Sequence, residues 1–506
     1  MSLVDMKRSE TEEGLASYKM LIDGEWVDAR SGEHFVSSNP VTGEDLAQAP
    51  LGGTEDVELA VQAARRAFEE GPWPETTPAE RARLLRRVGQ LIEDRAEDLA
   101  HTQVLENGKL FRETQPQTRM LANFCYYYAG LAETFGGETV PTSVPNVVSY
   151  TLREPIGVVA AITPWNSPLG LLMWKLCPAL AAGNAVVIKP SEVTPVATLK
   201  IAGLFVEAGY PKGVVNVVTG EGETGAALVA HPQVDKVAFT GSTATGKAIA
   251  RSAADHLARV SLELGGKSPN IVFADANLDN AVNGVVAGVF GATGQTCMAG
   301  SRVLIEDSVY DEVAAKLVEK AKSIRLGDPL DPETEMGTVA FKGQYDKVLG
   351  YIEIGKEEGA KLLYGGEPPD DPALGNGLYI LPTIFGDVDN DMRIAREEIF
   401  GPVVCLIRFK DEDDAVRIAN DTDFGLAAGV WTDNVARAHR MIGRLRAGTV
   451  WVNTYRKTNY ATPFGGFKQS GMGRENGLEV MREYTEVKSV WINTGVSITD
   501  PFNPRA

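Results

Sequence analysis

Five short β-branched runs, IGVVAAIT (156–163), AVVIKP (185–190), VVNVV (214–218), KVAFT (236–240) and RVSLEL (259–264), punctuate residues 156–264, and a helix-length stretch separates each run from the next. Strands alternating with helices imply a parallel, doubly wound α/β sheet. In such a sheet a nucleotide binds in the crevice beyond the C-terminal strand ends.

A second α/β series follows Ser268, with NIVFAD (270–275), RVLIED (302–307) and VVCLIRF (403–409) as strands and an amphipathic helix from Tyr310 to Ile324. Two α/β domains are the simplest account. Upstream, polarity alternates about Asp23-Gly24, a dipeptide suited to the positive φ of a tight hairpin. Thr77, Pro78 and Glu80 form a capping box at the start of a helix whose stripe is Leu84, Leu85, Val88, Leu91 and Ile92. The apolar stretch from Leu169 to Ala182 is interrupted by Lys175 and Pro178 and falls short of the ~20 residues that span a bilayer, so it reads as a core helix. Two extended segments, 146–155 and 483–493, adjoin no obvious helix. Either they pair across a subunit interface or they join a sheet of their own subunit.

The chain has 506 residues, about three domain-sized units at roughly 150 residues each. Its 44% hydrophobic and 23% charged residues exclude disordered, collagen-like and membrane-embedded classes. A net charge of -19, from 49 Lys+Arg against 68 Asp+Glu, argues against a nucleic-acid partner. Cys125, Cys177, Cys297 and Cys405 have no CxxC spacing and the histidines no HExxH, so neither a disulfide framework nor a metal site is expected and the compartment reads as reducing. Residues 1–17 lack the apolar core of a signal peptide and read as a polar, mobile tail, giving an expectation of a cytoplasmic protein without a membrane partner.

Two glycine turns compete for a pyrophosphate. TGEGETG (Gly220, Gly222, Gly225) fits G-x-G-x-x-G, whereas TGSTATG (Gly241, Gly246) does not; each follows a strand and opens a helix. Cys297 lies in FGATGQTCMAGSR, where small neighbours let a substrate reach the sulfur, whereas the other three cysteines sit in apolar settings. Glu263 ends a strand and is a candidate base or a solvated strand-end carboxylate. Asn166 in TPWNSP is a turn residue or an oxyanion donor, and Lys189 is a surface charge or a phosphate or ribose contact.

In order and rough spacing, TPWN, KPSE, FTGSTATG, ELGGK, GQTC, EEIFGP and PFGGFKQSG resemble the motifs of the NAD(P)-dependent aldehyde dehydrogenase superfamily, over essentially the whole chain beyond the tail. The resemblance implies an aldehyde-dehydrogenase-like α/β fold with the NAD-binding domain discontinuous over 18–136 and 156–264. The catalytic domain would be 265–470, with an oligomerisation arm from 137–155 and 483–498. It implies a homodimer or homotetramer acting on a small-molecule aldehyde.

By the same resemblance Cys297 is the nucleophile, Asn166 with the Cys297 backbone N–H stabilises the oxyanion, Glu263 activates the hydrolytic water and Glu475 relays protons. Glu263 separates this chain from CoA-acylating branches, which do not need that base, and the catalytic set together argues against a purely structural protein on this fold. Trp165, Lys189, Glu192, Gly241, Ser242, Gly246, Glu398 and Phe400 match cofactor positions. The carboxylate of Glu192 would repel a 2'-phosphate, so NAD is expected over NADP. Ser167, Trp174, Thr296, Met298, Arg456, Lys457, Thr458 and Phe464 are expected about the substrate pocket. Ser167 and Thr458 stand where relatives often carry aromatics, and with the cations of Arg456 and Lys457 they suggest a polar or anionic aldehyde, such as a semialdehyde.

Overall fold

The computed structural model describes residues 9–11, 14–495, 497–498 and 500–502. All five runs that open the sequence analysis become strands: Val158–Ile162, Ala185–Lys189, Val215–Val217, Lys236–Thr240 and Arg259–Glu263. They pair in parallel in the spatial order 215–217, 185–189, 158–162, 236–240, 259–263, the antiparallel hairpin Met20–Ile22 and Glu25–Val27 extends one edge, and Gly471–Met472 closes the other. Alternation explains why the runs are apolar throughout. Val158, Ala160, Ile162, Ala185 and Val187 enter the core on one face, and Val159, Ala161, Val186 and Ile188 enter the core on the other.

From Val158–Ile162 the chain winds first to one side and then returns to add Lys236–Thr240 on the other. The C-terminal ends of those two strands therefore flank the switch point where such sheets bind ligands. One end continues into Thr163-Pro164-Trp165-Asn166 and the other into Gly241-Ser242.

A second, seven-stranded sheet has the order 361–364, 383–386, 403–409, 302–306, 269–272, 427–431, 449–452, parallel except for the antiparallel edge Lys361–Tyr364. It too is covered on both faces, with Val403, Cys405 and Ile407 on one side and Val404 and Leu406 on the other. The helix Pro168–Ala182 is buried almost all round and stops at Gly183 in the left-handed conformation. The Thr77 capping box forms as expected, with Glu80 N donating to Thr77 Oγ1 and Thr77 N donating to Glu80 Oε2.

One expectation changes. Part of the 1–17 tail is structured: Ala16–Ser17 is buried and pairs with Asp45–Pro50, and Ser9–Glu10 pairs with it in turn. The physical reason is that backbone N–H and C=O groups of a polar segment can satisfy a neighbouring strand edge whatever its side chains. Residues 1–8 and 12–13 lie outside the described residues. The two extended segments, read above as seeking partners, find each other: Thr485–Asn493 runs antiparallel to Val147–Pro155, which also holds Thr139–Val140. The outer edge of Thr485–Asn493 has no neighbouring strand among the described residues, and Val487, Trp491 and Ile492 stay exposed on it.

Candidate active site

Cys297 sits after a strained turn between the helix Leu278–Val289 and the strand Arg302–Glu306. Ala292 and Thr293 have φ of 53° and 55°, a costly conformation for residues with side chains and one that persists only where its surroundings fix it. Gly294 completes the turn at φ 71°, where a Cβ would lie 2.0 Å from the Gly401 carbonyl oxygen. Gln295 clamps the loop: Ala340 N donates to its Oε1 at 2.9 Å, its Nε2 donates to Thr338 O at 3.2 Å, and its own carbonyl accepts from Asn166 Nδ2 at 2.9 Å. Asn166 is thereby held in the same cavity walls as Cys297, and its Nδ2 has a second N–H with no partner among the described residues.

Two cavities meet at this point. The larger, of about 340 Å³, is lined by Lys109, Phe124, Asn166, Ser167, Trp174, Thr296, Cys297, Met298 and the loop Arg456 to Tyr460. The smaller, of about 130 Å³, is lined by Trp165, Asn166, Gly241, Ser242, Gly265, Cys297, Gln344, Lys347, Glu398 and Phe400. Asn166, Leu171 and Cys297 belong to both walls.

The electrostatics favour a neutral thiol at rest. Burial, followed by the charges of Glu263 and Glu398, pushes the Cys297 thiol up to about 12. Glu263 is buried, neither of its carboxyl oxygens has a hydrogen-bond partner among the described residues, and burial together with the charge of Glu475 holds it well above the usual carboxylate range. Such a group is a strong base, and its free oxygens are suited to holding water.

Glu475, like Glu263, is buried and lines neither cavity. Its Oε1 accepts from Lys175 Nζ at 2.5 Å, and that ammonium also donates to Thr240 Oγ1 at 2.6 Å. Lys175→Met would leave Glu475 a buried carboxylate without its counter-ion beside Glu263. The variant should lose about 3–5 kcal/mol of stability, read as a lowered urea midpoint.

On the cofactor side, Glu398 Oε1 accepts from Gly266 N at 2.9 Å, and a Cβ on Gly265 would come within 2.3 Å of the other oxygen, so bare backbone is what lets this carboxylate stand in the wall. Phe400, at φ 60°, meets Trp165 edge-on at 5.3 Å, and Gln344 Nε2 donates to the Ile399 and Phe400 carbonyls. Ser242 caps the helix Thr243–Ala254 by accepting from Thr245 N, and Gly246 lies in its first turn. A helix N-terminus of this kind presents unpaired N–H groups to an anion. Lys189 and Glu192 stand outside this cavity, 3.4 Å apart. Of the two glycine turns, Gly241 and Ser242 line the cavity; Gly220, Gly222 and Gly225 do not, although a Cβ on Gly225 would come 3.9 Å from Lys189 Cδ.

Of the expected pocket residues Phe464 stands one layer back: it is buried and packs edge-on against Trp174 of the wall at 5.3 Å. Sequence reasoning missed Lys109, Gln344, Lys347 and Tyr460. Gln344 and Lys347 share a face of the helix Lys342–Glu357 at i, i+3 spacing, the only signal they offered.

Residues 26–490 match the aldehyde dehydrogenase family model. The chain belongs to the aldehyde dehydrogenase family. It is 46% identical to a betaine aldehyde dehydrogenase of Bacillus subtilis over 96% of this chain and 100% of that one. A crystal structure of betaine aldehyde dehydrogenase from Staphylococcus aureus with NAD+ superposes at a TM-score of 0.94, with 40% identity over 95% of each chain. The NAD+ complex of an aldehyde dehydrogenase from Bacillus cereus gives 0.92, with 47% identity over 94% of this family member and 96% of that chain. Among the described residues no helix is long and apolar enough to cross a membrane, and no cluster of three or more His, Cys, Asp or Glu could hold a metal.

Proposed function

We propose that this family member oxidises an aldehyde to a carboxylic acid with NAD as the hydride acceptor. The observation that carries the reading is the shared wall: the nucleophile and the amide donor stand where the two cavities meet, so a carbonyl in the larger one faces whatever fills the smaller. Trp165, Gly241, Ser242, Gly246, Glu398 and Phe400 would hold the cofactor, with Lys189 and Glu192 at the adenosine ribose. The exposed Glu192 carboxylate disfavours a 2'-phosphate and so favours NAD over NADP. Bound there, NAD supplies the hydride acceptor.

The chain's own residues do the rest. Cys297 gives its proton to solvent and adds as the thiolate to the carbonyl carbon, the π pair moves to oxygen, and Asn166 Nδ2 with the Cys297 backbone N–H donates to that oxyanion. Once hydride has left, Cys297 carries a thioester. Glu263 takes a proton from water as its oxygen attacks; the C–S bond breaks, the acid leaves and the sulfur is restored. Glu475, joined to Lys175, receives the proton from the Glu263 side and passes it on.

The substrate is a polar or anionic aldehyde, since Ser167 and Thr458 add hydroxyls to the wall of the larger cavity and Arg456 and Lys457 add cations. A second reading, a quaternary-ammonium aldehyde such as betaine aldehyde, is favoured by Phe124, Trp174 and Tyr460 in the same wall. We assign 18–136 with 156–264 to cofactor binding, 265–470 to catalysis, and 137–155 with 483–498 to an arm that joins cytoplasmic subunits into a homodimer or homotetramer.

The test is NADH formation from a panel of aldehydes, compared with NADP and with added CoA. A carboxylic acid product that does not depend on CoA is expected. Because Cys297 is pushed up to about 12 and Glu263 well above the carboxylate range, raising the pH increases the reactive form of each. For a neutral aldehyde, whose binding does not depend on a cation in the cavity, kcat/KM should climb from neutral pH to about pH 9, and a flat profile would remove these two groups from the rate equation.

A further inference from the structure

In a chain of net charge -19 the larger cavity is lined by Lys109, Arg456 and Lys457 and, among the described residues, by no aspartate or glutamate. The three cations are not equivalent. Arg456 commits Nη1 to the Ala287 carbonyl at 2.8 Å, and Lys457 is exposed. Lys109 is half-buried and, among the described residues, donates once, to Ser167 Oγ at 2.7 Å, with no carboxylate partner. An ammonium has three N–H donors, so two remain for a ligand. Ser167 directly follows Asn166, so the bond that steadies Lys109 also sets it beside the reacting end of the cavity.

We propose that Lys109, steadied by Ser167, is the specificity-determining residue of this cavity and selects an aldehyde that carries a carboxylate. The proposal rests on the oxidation reading above. A partly desolvated cation gains most from an anion that arrives without other partners, whereas a quaternary ammonium would enter against three like charges. The same lining makes betaine aldehyde the poorer substrate despite the aromatic wall.

Lys109 is also titratable in a useful range. Burial, then the charge of Arg456, lowers it to about 8, while Glu113 on its neighbouring helix and Cys297 across the cavity pull the other way. Below about 8 it is charged, and as pH rises through that value it loses the charge that reads the anion.

The experiment measures kcat/KM for succinate semialdehyde, pentanal and betaine aldehyde in the wild type, Lys109→Met, Lys109→Arg and Ser167→Ala. The wild type should prefer the carboxylated aldehyde. Lys109→Met should cut the ratio of carboxylated to neutral substrate by about 10- to 100-fold, the range for a hydrogen bond to a charged group, while Lys109→Arg keeps most of it. In the wild type that ratio should fall as pH rises through about 8, and in Lys109→Arg it should not, because guanidinium stays charged. Ser167→Ala should raise KM for the carboxylated substrate more than it lowers kcat. Should Lys109→Met not fold, the wild-type and arginine pH profiles still decide. A ratio unmoved by Lys109→Met or by pH, or a wild type that prefers pentanal or betaine aldehyde, overturns this proposal alone. No NADH from any of the three overturns the oxidation reading and this proposal with it.

Discussion

Cys297→Ala should abolish NADH formation, lowering turnover by about 10⁴-fold or more, while leaving the fold and cofactor binding in place. No other thiol can substitute. Cys125 and Cys177 face each other at 3.9 Å inside the core, and Cys405 donates to the Ile394 carbonyl from within a buried strand. What positions Cys297 lies outside its side chain: the left-handed turn at Ala292 and Thr293, Gly294 against Gly401, and the hydrogen bonds of Gln295. Alanine keeps all of these, and only the sulfur goes. The cofactor cavity is walled mainly by Trp165, Gly241, Ser242, Glu398 and Phe400, so NAD titration of the variant, followed by protein fluorescence, should give a Kd within a few-fold of the wild type. Residual turnover above about one per cent of the wild type would remove Cys297 from the chemistry.

What the sequence made legible followed from local pattern. The runs 156–163, 185–190, 214–218 and 236–240 announce a parallel sheet because each contributes apolar side chains to both faces, and 259–264 follows as a strand that fills one face with Leu262 and Leu264. The turn holding Cys297 announces itself through small residues. What stayed hidden depends on separations the sequence does not encode. Lys175 and Glu475 are 300 residues apart, and a lysine within an apolar helix gives no sign that its partner comes from the GRENG turn. Lys109 looks like a helix-stop lysine after Gly108, and only the packing of that stop against Ser167 turns it into the cavity. The glycine turns show the opposite failure, a local pattern that misleads. TGEGETG fits the dinucleotide spacing, yet Thr219 and Thr224 spend their hydroxyls on the Pro50 and Gly52 carbonyls, and that turn docks the N-terminal segment. TGSTATG misses the spacing but follows the strand at the switch point, and position in the sheet, more than glycine spacing, decides which turn meets the cavity.

The second large effect separates the two halves of the reaction. In Glu263→Gln the first turnover should remain fast, releasing about one NADH per subunit, after which steady turnover should fall by roughly 10²- to 10⁴-fold as the thioester waits for water. Glutamine keeps the shape of the side chain. The carboxyl it replaces is buried, has no hydrogen-bond partner among the described residues and is held well above the usual carboxylate range by burial and the charge of Glu475, so an uncharged amide in its place should leave stability unchanged or slightly raised. A fall in activity could not then be blamed on unfolding. Because the Glu263 charge also helps push the Cys297 thiol up, its removal should make the thiolate easier to form, which protects the burst as a merely structural defect does not. Rapid mixing distinguishes the cases. A burst followed by a slow phase that a small added thiol accelerates, by taking the acyl group, places Glu263 at deacylation. Loss of the burst itself, in step with the slow phase, would instead make Glu263 the base that deprotonates Cys297 and leave the hydrolytic water without an activating group.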